Sequence, residues 1–232
     1  MTISVYVQIQ KLADCPGDNN WFGEQEKAVL DNLRFTKRRS DWRLGRWTAK
    51  QVIFSFLKSE GSHKDNLSEI EILADPDGAP QVYLQNKKAP FSISISHSHG
   101  VAMSVLNPAK IPIGCDIEFI EEREENFVAD YFTEQEMVWV KNSEASIKPV
   151  VCNLIWSAKE STLKVLKEGL RLDTKTVNIL ETKLGNTEEW QPIEIQFNET
   201  NEFFGQWKIM NGFILTIVAE RNVIPVCFEQ GT

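Results

Sequence analysis

The sequence predicts an α+β fold made of two similar lobes, residues 1–108 and 109–232, each a long helix packed on a small antiparallel sheet. Three observations predict it. One stretch in each half, 37–58 and 153–168, is long, free of proline and apolar at helical spacing. Each half then continues in short runs that alternate apolar and polar residues, as half-buried strands do. The late segment QWKIMNGFILTIVA also echoes the earlier FSISISHSHGVAMSVL in length and pattern.

Taken in order, residues 3–9 (ISVYVQI) read as a strand, followed by helical stretches at 24–34 and 37–58. Runs 69–73 and 81–84 are strand-like, and the ADPDGAP between them is a turn sequence. Phe91, Ile93 and Ile95 share one strand face while Ser92, Ser94 and Ser96 share the other. After the HSHG turn, Val101, Met103 and Val105 resume the alternation, which predicts a hairpin closed by Asn107 and Pro108. A strand at 111–119 leads through an acidic loop to helices at 133–142 and 153–168. Strands at 177–180, 193–197, 203–209 and 213–219 complete the second lobe.

Composition narrows the function classes. The chain has 232 residues, 42% hydrophobic and 25% charged, ordinary for a globular protein. No apolar run approaches the roughly 18 residues of a membrane span, and the start MTISVYVQIQ does not read as a signal peptide. Cys15, Cys115, Cys152 and Cys227 are scattered, which predicts thiols in a reducing cytoplasm and neither a zinc site nor a disulfide framework. Net charge is −8, divided as +2 over residues 1–110 and −10 over 111–232. Such a balance argues against general nucleic-acid binding, which needs a basic surface, but leaves room for a small anion gripped by a local cluster.

Four constellations carry chemistry. In IPIGCDIEF, Ile111, Ile113, Cys115, Ile117 and Phe119 point toward a core, so Asp116 and Glu118 project together from the other face. Paired carboxylates repel unless a cation compensates, and hard oxygen donors suit Mg²⁺; the plain alternative is a solvated acidic strand. On the helix WSAKESTLKVLKEGLRLD, Trp156, Glu160 and Lys164 fall four apart on one face. A Glu–Lys pair at this spacing is common surface dressing, but Trp156 implies a face packed against something. Between residues 34 and 50 there are seven cations and one acid, with Arg39, Arg43, Arg46 and Lys50 in one stripe beside an apolar stripe of Trp42, Ala49, Ile53 and Phe56. Lined-up guanidinium groups suit phosphate oxygens, the alternative being a solvated helix face. Finally Ser96 and His97, and His99 with them, offer donors at a hairpin tip or are turn residues only. His63, in the GSHKDN loop, reads as solvent-exposed and without a role.

The ordered motifs ISHS (95–98), GCDIE (114–118) and WSAKESTLK (156–164), flanked by GRWTAK (45–50) and KEGLRLD (167–173), resemble the 4′-phosphopantetheinyl transferases, specifically the two-lobed type that activates surfactin synthetase. The resemblance runs from about residue 38 to 173. It implies a pseudo-twofold pair of α+β lobes, coenzyme A as donor, and a serine of an apo acyl or peptidyl carrier protein as acceptor, with 3′,5′-ADP released. By motif match, Asp116, Glu118 and Glu160 would hold Mg²⁺ with the coenzyme A pyrophosphate. Glu160, directly or through water, would be the base for the serine proton, and Lys164 would neutralise the pyrophosphate. Ser96 and His97 would contact coenzyme A phosphates, and Arg46, with Arg39 and Lys50, would serve the adenosine 3′-phosphate. A cytoplasmic monomer is expected.

Two positions depart from the family pattern. Ala79 stands between Gly78 and Pro80 where relatives often carry a basic residue, and Cys115 stands where isoleucine or valine is common. Phe127, Tyr131, Phe132, Met137 and Trp139 are read either as an apolar contact for the carrier or as core. Two rival functions remain at this level: a metal phosphohydrolase or nucleotidyltransferase, and a non-catalytic coenzyme A-binding module. The intact carboxylate set argues against the second.

Overall fold

Seventeen helices and strands alternate along the chain in a computed structural model that describes residues 2–62, 66–185, 187–198 and 201–228. His63 lies outside the described residues. In order they are β1 (Ile3–Lys11), α1 (Glu24–Asp31), α2 (Thr36–Ser59), β2 (Ile70–Ala74), β3 (Pro80–Leu84), β4 (Lys87–Lys88), β5 (Ser92–Ser98), β6 (Val101–Asn107), β7 (Ile113–Phe119), α3 (Glu125–Tyr131), α4 (Glu134–Asn142), α5 (Lys148–Leu166), β8 (Val177–Ile179), β9 (Gln191–Phe197), β10 (Asn201–Met210), β11 (Phe213–Ala219) and β12 (Val223–Cys227). The fold is mixed α+β and divides into two compact units. One holds Ser4–Ile111 and the chain from Val226 onward, the other the chain before Ser4 and Pro112–Pro225.

In the N-terminal unit β6 pairs antiparallel with both β1 and β5. The β5–β6 turn is made by His99 and Gly100, with φ of 47° and 75°. Two consecutive left-handed residues are what a tight hairpin needs to match the twist of its strands. Helix α2 packs on this sheet through Ala49, Val52, Ile53 and Phe56, which share a core with Ile93 and Leu106. On the opposite face Ser94 and Ser96 are buried as well, so both faces of β5 are covered. A small sheet, β2-β3-β4, completes the unit.

The C-terminal unit is a five-stranded antiparallel sheet in the order β7-β11-β10-β9-β8. Helix α5 lies along β7 and β11. It begins at Lys148, earlier than the expected residue 153, because Pro149 is tolerated in a helix's first turn, where its missing N–H costs nothing. Gly114 allows the close approach: a Cβ there would sit 1.8 Å from the Ser161 carbonyl oxygen. The expected acidic loop after β7 contains a short helix, α3. Strand β12 was not anticipated, since its apolar run VIPVC is interrupted by Pro225.

Each unit fixes its long helix with a buried ion pair. In the first, Glu26 accepts from the amides of Gly23 (3.1 Å) and Ile72 (3.0 Å) and meets Lys50 Nζ at 2.5 Å. Lys50 also donates to the carbonyls of Trp21 and Leu67. In the second, Glu136 accepts from the amides of Thr133 (2.8 Å) and Ile179 (2.7 Å) and meets Lys159 Nζ at 2.9 Å. Lys159 donates to the carbonyls of Thr174 and Val177. All four side chains are fully buried, and the surrounding hydrogen bonds offset the cost of desolvating them. Among the described residues no helix is long and apolar enough to cross a membrane.

Candidate active site

Strand β7 and helix α5 bring four of the predicted residues together. Asp116, opposite Thr216 on β11, is only 2% exposed, which removes the reading of a solvated acidic strand. Its Oδ1 accepts from Lys164 Nζ at 2.9 Å, and the same ammonium donates to the Cys115 carbonyl at 2.9 Å. Lys164 stands farther, 3.8 Å, from Glu160, one helical turn before it. Lys164 is thus a strut from helix to strand rather than surface dressing. Hydroxyls secure the helix beneath it: Thr216 Oγ1 lies 2.8 Å from Ser157 Oγ and 2.7 Å from Ser161 Oγ, all buried. Trp156 is buried as expected, with Phe127 and Tyr131 rings 4.9 and 5.1 Å away. Phe119, expected in the core, is instead 37% exposed at the strand end, edge-on to Phe213.

The carboxylates feel one another. Burial, then the charge of Asp116, pushes the Glu118 pKa up to about 7, against the pull of Arg123. Burial and then Asp116 also raise that of Glu160, with Lys164 opposing. Burial alone would lower the Lys164 pKa, but Asp116 and Glu160 outweigh it and hold the ammonium above its usual range. Among the described residues no three Asp, Glu, His or Cys side chains stand close enough to form a ready-made metal cage. Lys164 and Arg123 supply the compensating charge instead, Arg123 Nη2 meeting Glu118 Oε2 at 2.8 Å. A set of oxygen-only donors that repel one another fits a hard divalent cation such as Mg²⁺, whose binding would relieve that repulsion.

The basic stripe of α2 is not one surface. Arg39 Nη1 donates to the Leu30 carbonyl, and Arg43 donates to the Pro16 and Asp18 carbonyls and lies over the rings of Trp21 and Phe22. Lys50 is fully buried against Glu26, so it is a core residue and not a phosphate contact. These cations face the segment before α2, whose carbonyls take their donors. Only Arg46 of the stripe reaches a cleft of about 640 Å³, where it is joined by Phe35, Lys37, Arg38, Trp42 and His97. Its Nε donates to the Ile72 carbonyl and its guanidinium lies 4.9 Å from the Trp42 ring centroid. Phe35 is 75% exposed there. Ser96, buried in β5, does not line the cleft, whereas Gly78 and Pro80 around Ala79 do. Lys37 and Arg38 were counted in the basic run but not singled out, and Arg123 was missed, although it is one cation inside the acidic run 121–125. Of the aromatics considered for a carrier contact, Phe132 and Trp139 are buried core; Tyr131 is 36% exposed.

Residues 112–218 match the family model described as the 4′-phosphopantetheinyl transferase superfamily. The holo-[acyl-carrier-protein] synthase of Streptococcus agalactiae is 35% identical over 81 residues, 35% of this chain and 67% of that protein. Among solved structures, an apo synthase from Chronobacterium ammoniagenes is 22% identical with a TM-score of 0.38, over 44% of this chain and 92% of its own. A holo-[acyl-carrier-protein] synthase from Thermotoga maritima is 24% identical with a TM-score of 0.37, over 56% and 74%. The assignment rests on the Streptococcus relative and on the family model, which covers the part of the chain that carries Asp116, Glu118, Glu160 and Lys164. This chain belongs to the 4′-phosphopantetheinyl transferase superfamily and is an enzyme of the holo-[acyl-carrier-protein] synthase kind.

Proposed function

We propose that the chain is a Mg²⁺-dependent transferase of the two-lobed, surfactin-synthetase-activating type, moving 4′-phosphopantetheine from coenzyme A to a serine of an apo acyl or peptidyl carrier protein. The observation that carries this reading is Asp116, a buried carboxylate tied by Lys164 to the helix that bears Glu160. So deep a charge is costly to keep without a task or a compensating cation. Asp116, Glu118 and Glu160 would hold the metal, which when bound would polarise the pyrophosphate for attack. Glu160, held high in pKa by burial and Asp116, is suited to accept the serine proton, directly or through water. Lys164, kept charged, would offset negative charge as 3′,5′-ADP leaves. Arg46 and His97, now with Lys37 and Arg38, would serve the adenosine 3′-phosphate, with Phe35 offering a ring to the base. Arg39 and Ser96 are left with structural roles.

The matched buried pairs Glu26–Lys50 and Glu136–Lys159 support the pseudo-twofold reading. In each unit the acid closes a helix N-terminus three residues after its cap, accepts from a strand amide, and pairs with a lysine of the long helix. Two independent inventions of that arrangement are a poorer account than one unit repeated. A cytoplasmic monomer, where coenzyme A and carriers are met, belongs to the same proposal. Intact-mass spectrometry of several apo carrier proteins incubated with the enzyme, coenzyme A and Mg²⁺ tests it. One added phosphopantetheine is expected, lost with Glu160→Gln and with chelator; no gain on any carrier would reject the transferase reading for this chain.

A further inference from the structure

Arg123 has no part in the chemistry just described, yet it is one of the most firmly held cations near the site. Its Nε donates to Asn153 Oδ1 at 2.9 Å and its Nη2 to Glu118 Oε2 at 2.8 Å. The guanidinium carbon lies 5.1 Å from the Phe127 ring centroid, and Nη1 is 3.4 Å from Glu121. Asn153 is fully buried on α5, and its amide is committed to the carbonyls of Glu121 and Pro149 at 2.7 Å each. Its Oδ1 is therefore aimed at Arg123 by construction. The arginine is 16% exposed, so its contact with Glu118 is set by the fold and not by a free surface side chain settling on an acid.

We propose that Arg123 is a resident counter-cation of the metal centre, which holds Glu118 in the metal-free enzyme and competes with the divalent ion for that carboxylate. Its role depends on the reading of Asp116, Glu118 and Glu160 as metal ligands. The guanidinium draws on the same carboxylate charge that a metal on Glu118 would need. A fixed positive charge beside a ligand also raises the cost of bringing in a dication. When the ion takes Glu118, Asn153 and Phe127 keep the arginine in place, and Nη2 is freed for an anion arriving with the metal. Metal and anion then assist each other, since each supplies a partner that the other displaces. This device keeps the centre from tightly binding metal in the absence of a phosphate-bearing ligand.

Mn²⁺ binding to the full chain, followed by calorimetry and by electron paramagnetic resonance, tests this without reference to turnover. Arg123→Gln, confirmed folded by circular dichroism, is expected to bind Mn²⁺ at least about fivefold more tightly than the wild type, since a charge-assisted contact to a ligand is gone. Adding inorganic pyrophosphate should narrow that gap, because only the wild type can use the freed guanidinium. Equal or weaker Mn²⁺ binding by the folded variant overturns the proposal. Should Arg123→Gln not fold, Arg123→Met decides: it keeps a long stem to pack on Phe127 but no charge, so tighter binding is again expected and unchanged binding is again fatal. Absence of any Mn²⁺ binding that Glu118→Gln abolishes would instead sink the metal-centre reading itself.

Discussion

Glu118 shows how far one carboxylate departs from its behaviour in water. Burial and Asp116 raise its pKa in the metal-free fold from 4.5 to about 7. A group that binds its proton more tightly when folded stabilises the fold while protonated. That contribution is complete below about pH 4.5 and is lost as pH rises through about 7. The metal-free enzyme should therefore gain up to about 3 kcal/mol from this residue as pH falls from about 8 to about 5. Thermal melts in chelator across that range, wild type beside Glu118→Gln, check it; parallel curves would remove the residue from the account. Bound metal reverses the logic, since it needs the ionised form, and metal affinity should fall below about pH 7. Arg123 belongs to this scale too. It was legible as a lone cation between Glu121, Glu122, Glu124 and Glu125, but spacing alone did not say which acid it would choose.

At the scale of elements, the site depends on how closely α5 can lie on β7. Gly114 sets that distance, because any side chain there meets the Ser161 backbone rather than a movable side chain. Gly114→Ala should cost roughly 3 kcal/mol in urea unfolding, the upper end for overpacking, and should weaken Mn²⁺ binding by parting Asp116 from Glu160. A variant as stable as wild type would mean that the helix can shift without penalty. Period-based reading found both elements and the side of each that carries the acids. It misjudged α2, whose stripe Arg39, Arg43, Arg46 and Lys50 is real as geometry but is not one surface. Helical spacing says which residues share a face; it does not say that the chain before the helix folds back over that face and takes the donors with its carbonyls.

For the whole molecule, the charge asymmetry read from the sequence now has an address. The acidic half carries the carboxylates of β7 and α5, and the slightly basic half carries the cleft of Lys37, Arg38, Arg46 and His97. If the units divide the work, a change in one should leave the other's ligand alone. His97→Ala should raise KM for coenzyme A about tenfold, the worth of one charge-assisted hydrogen bond, with little effect on 3′-dephospho-coenzyme A and none on Mn²⁺ affinity. An equal loss with both donors would detach the cleft from the 3′-phosphate. Neither unit's function follows from net charge, which at −8 gives no hint that a phosphate-bearing donor is bound at all.

By itself the sequence determined the α+β alternation, the hairpins at 91–107 and 206–219, and the shared faces of Asp116 with Glu118 and of Glu160 with Lys164, because each is written in local spacing: period two for strands, period four for a helix face. Only the tertiary structure decided which charges remain available. It buried Lys50 and Lys159 in matched ion pairs, spent Arg39 and Arg43 on backbone carbonyls, and set Arg123 on Glu118. A charged side chain's worth depends on what covers it and what it touches, and those partners lie tens of residues away in the chain, where no local period can reach.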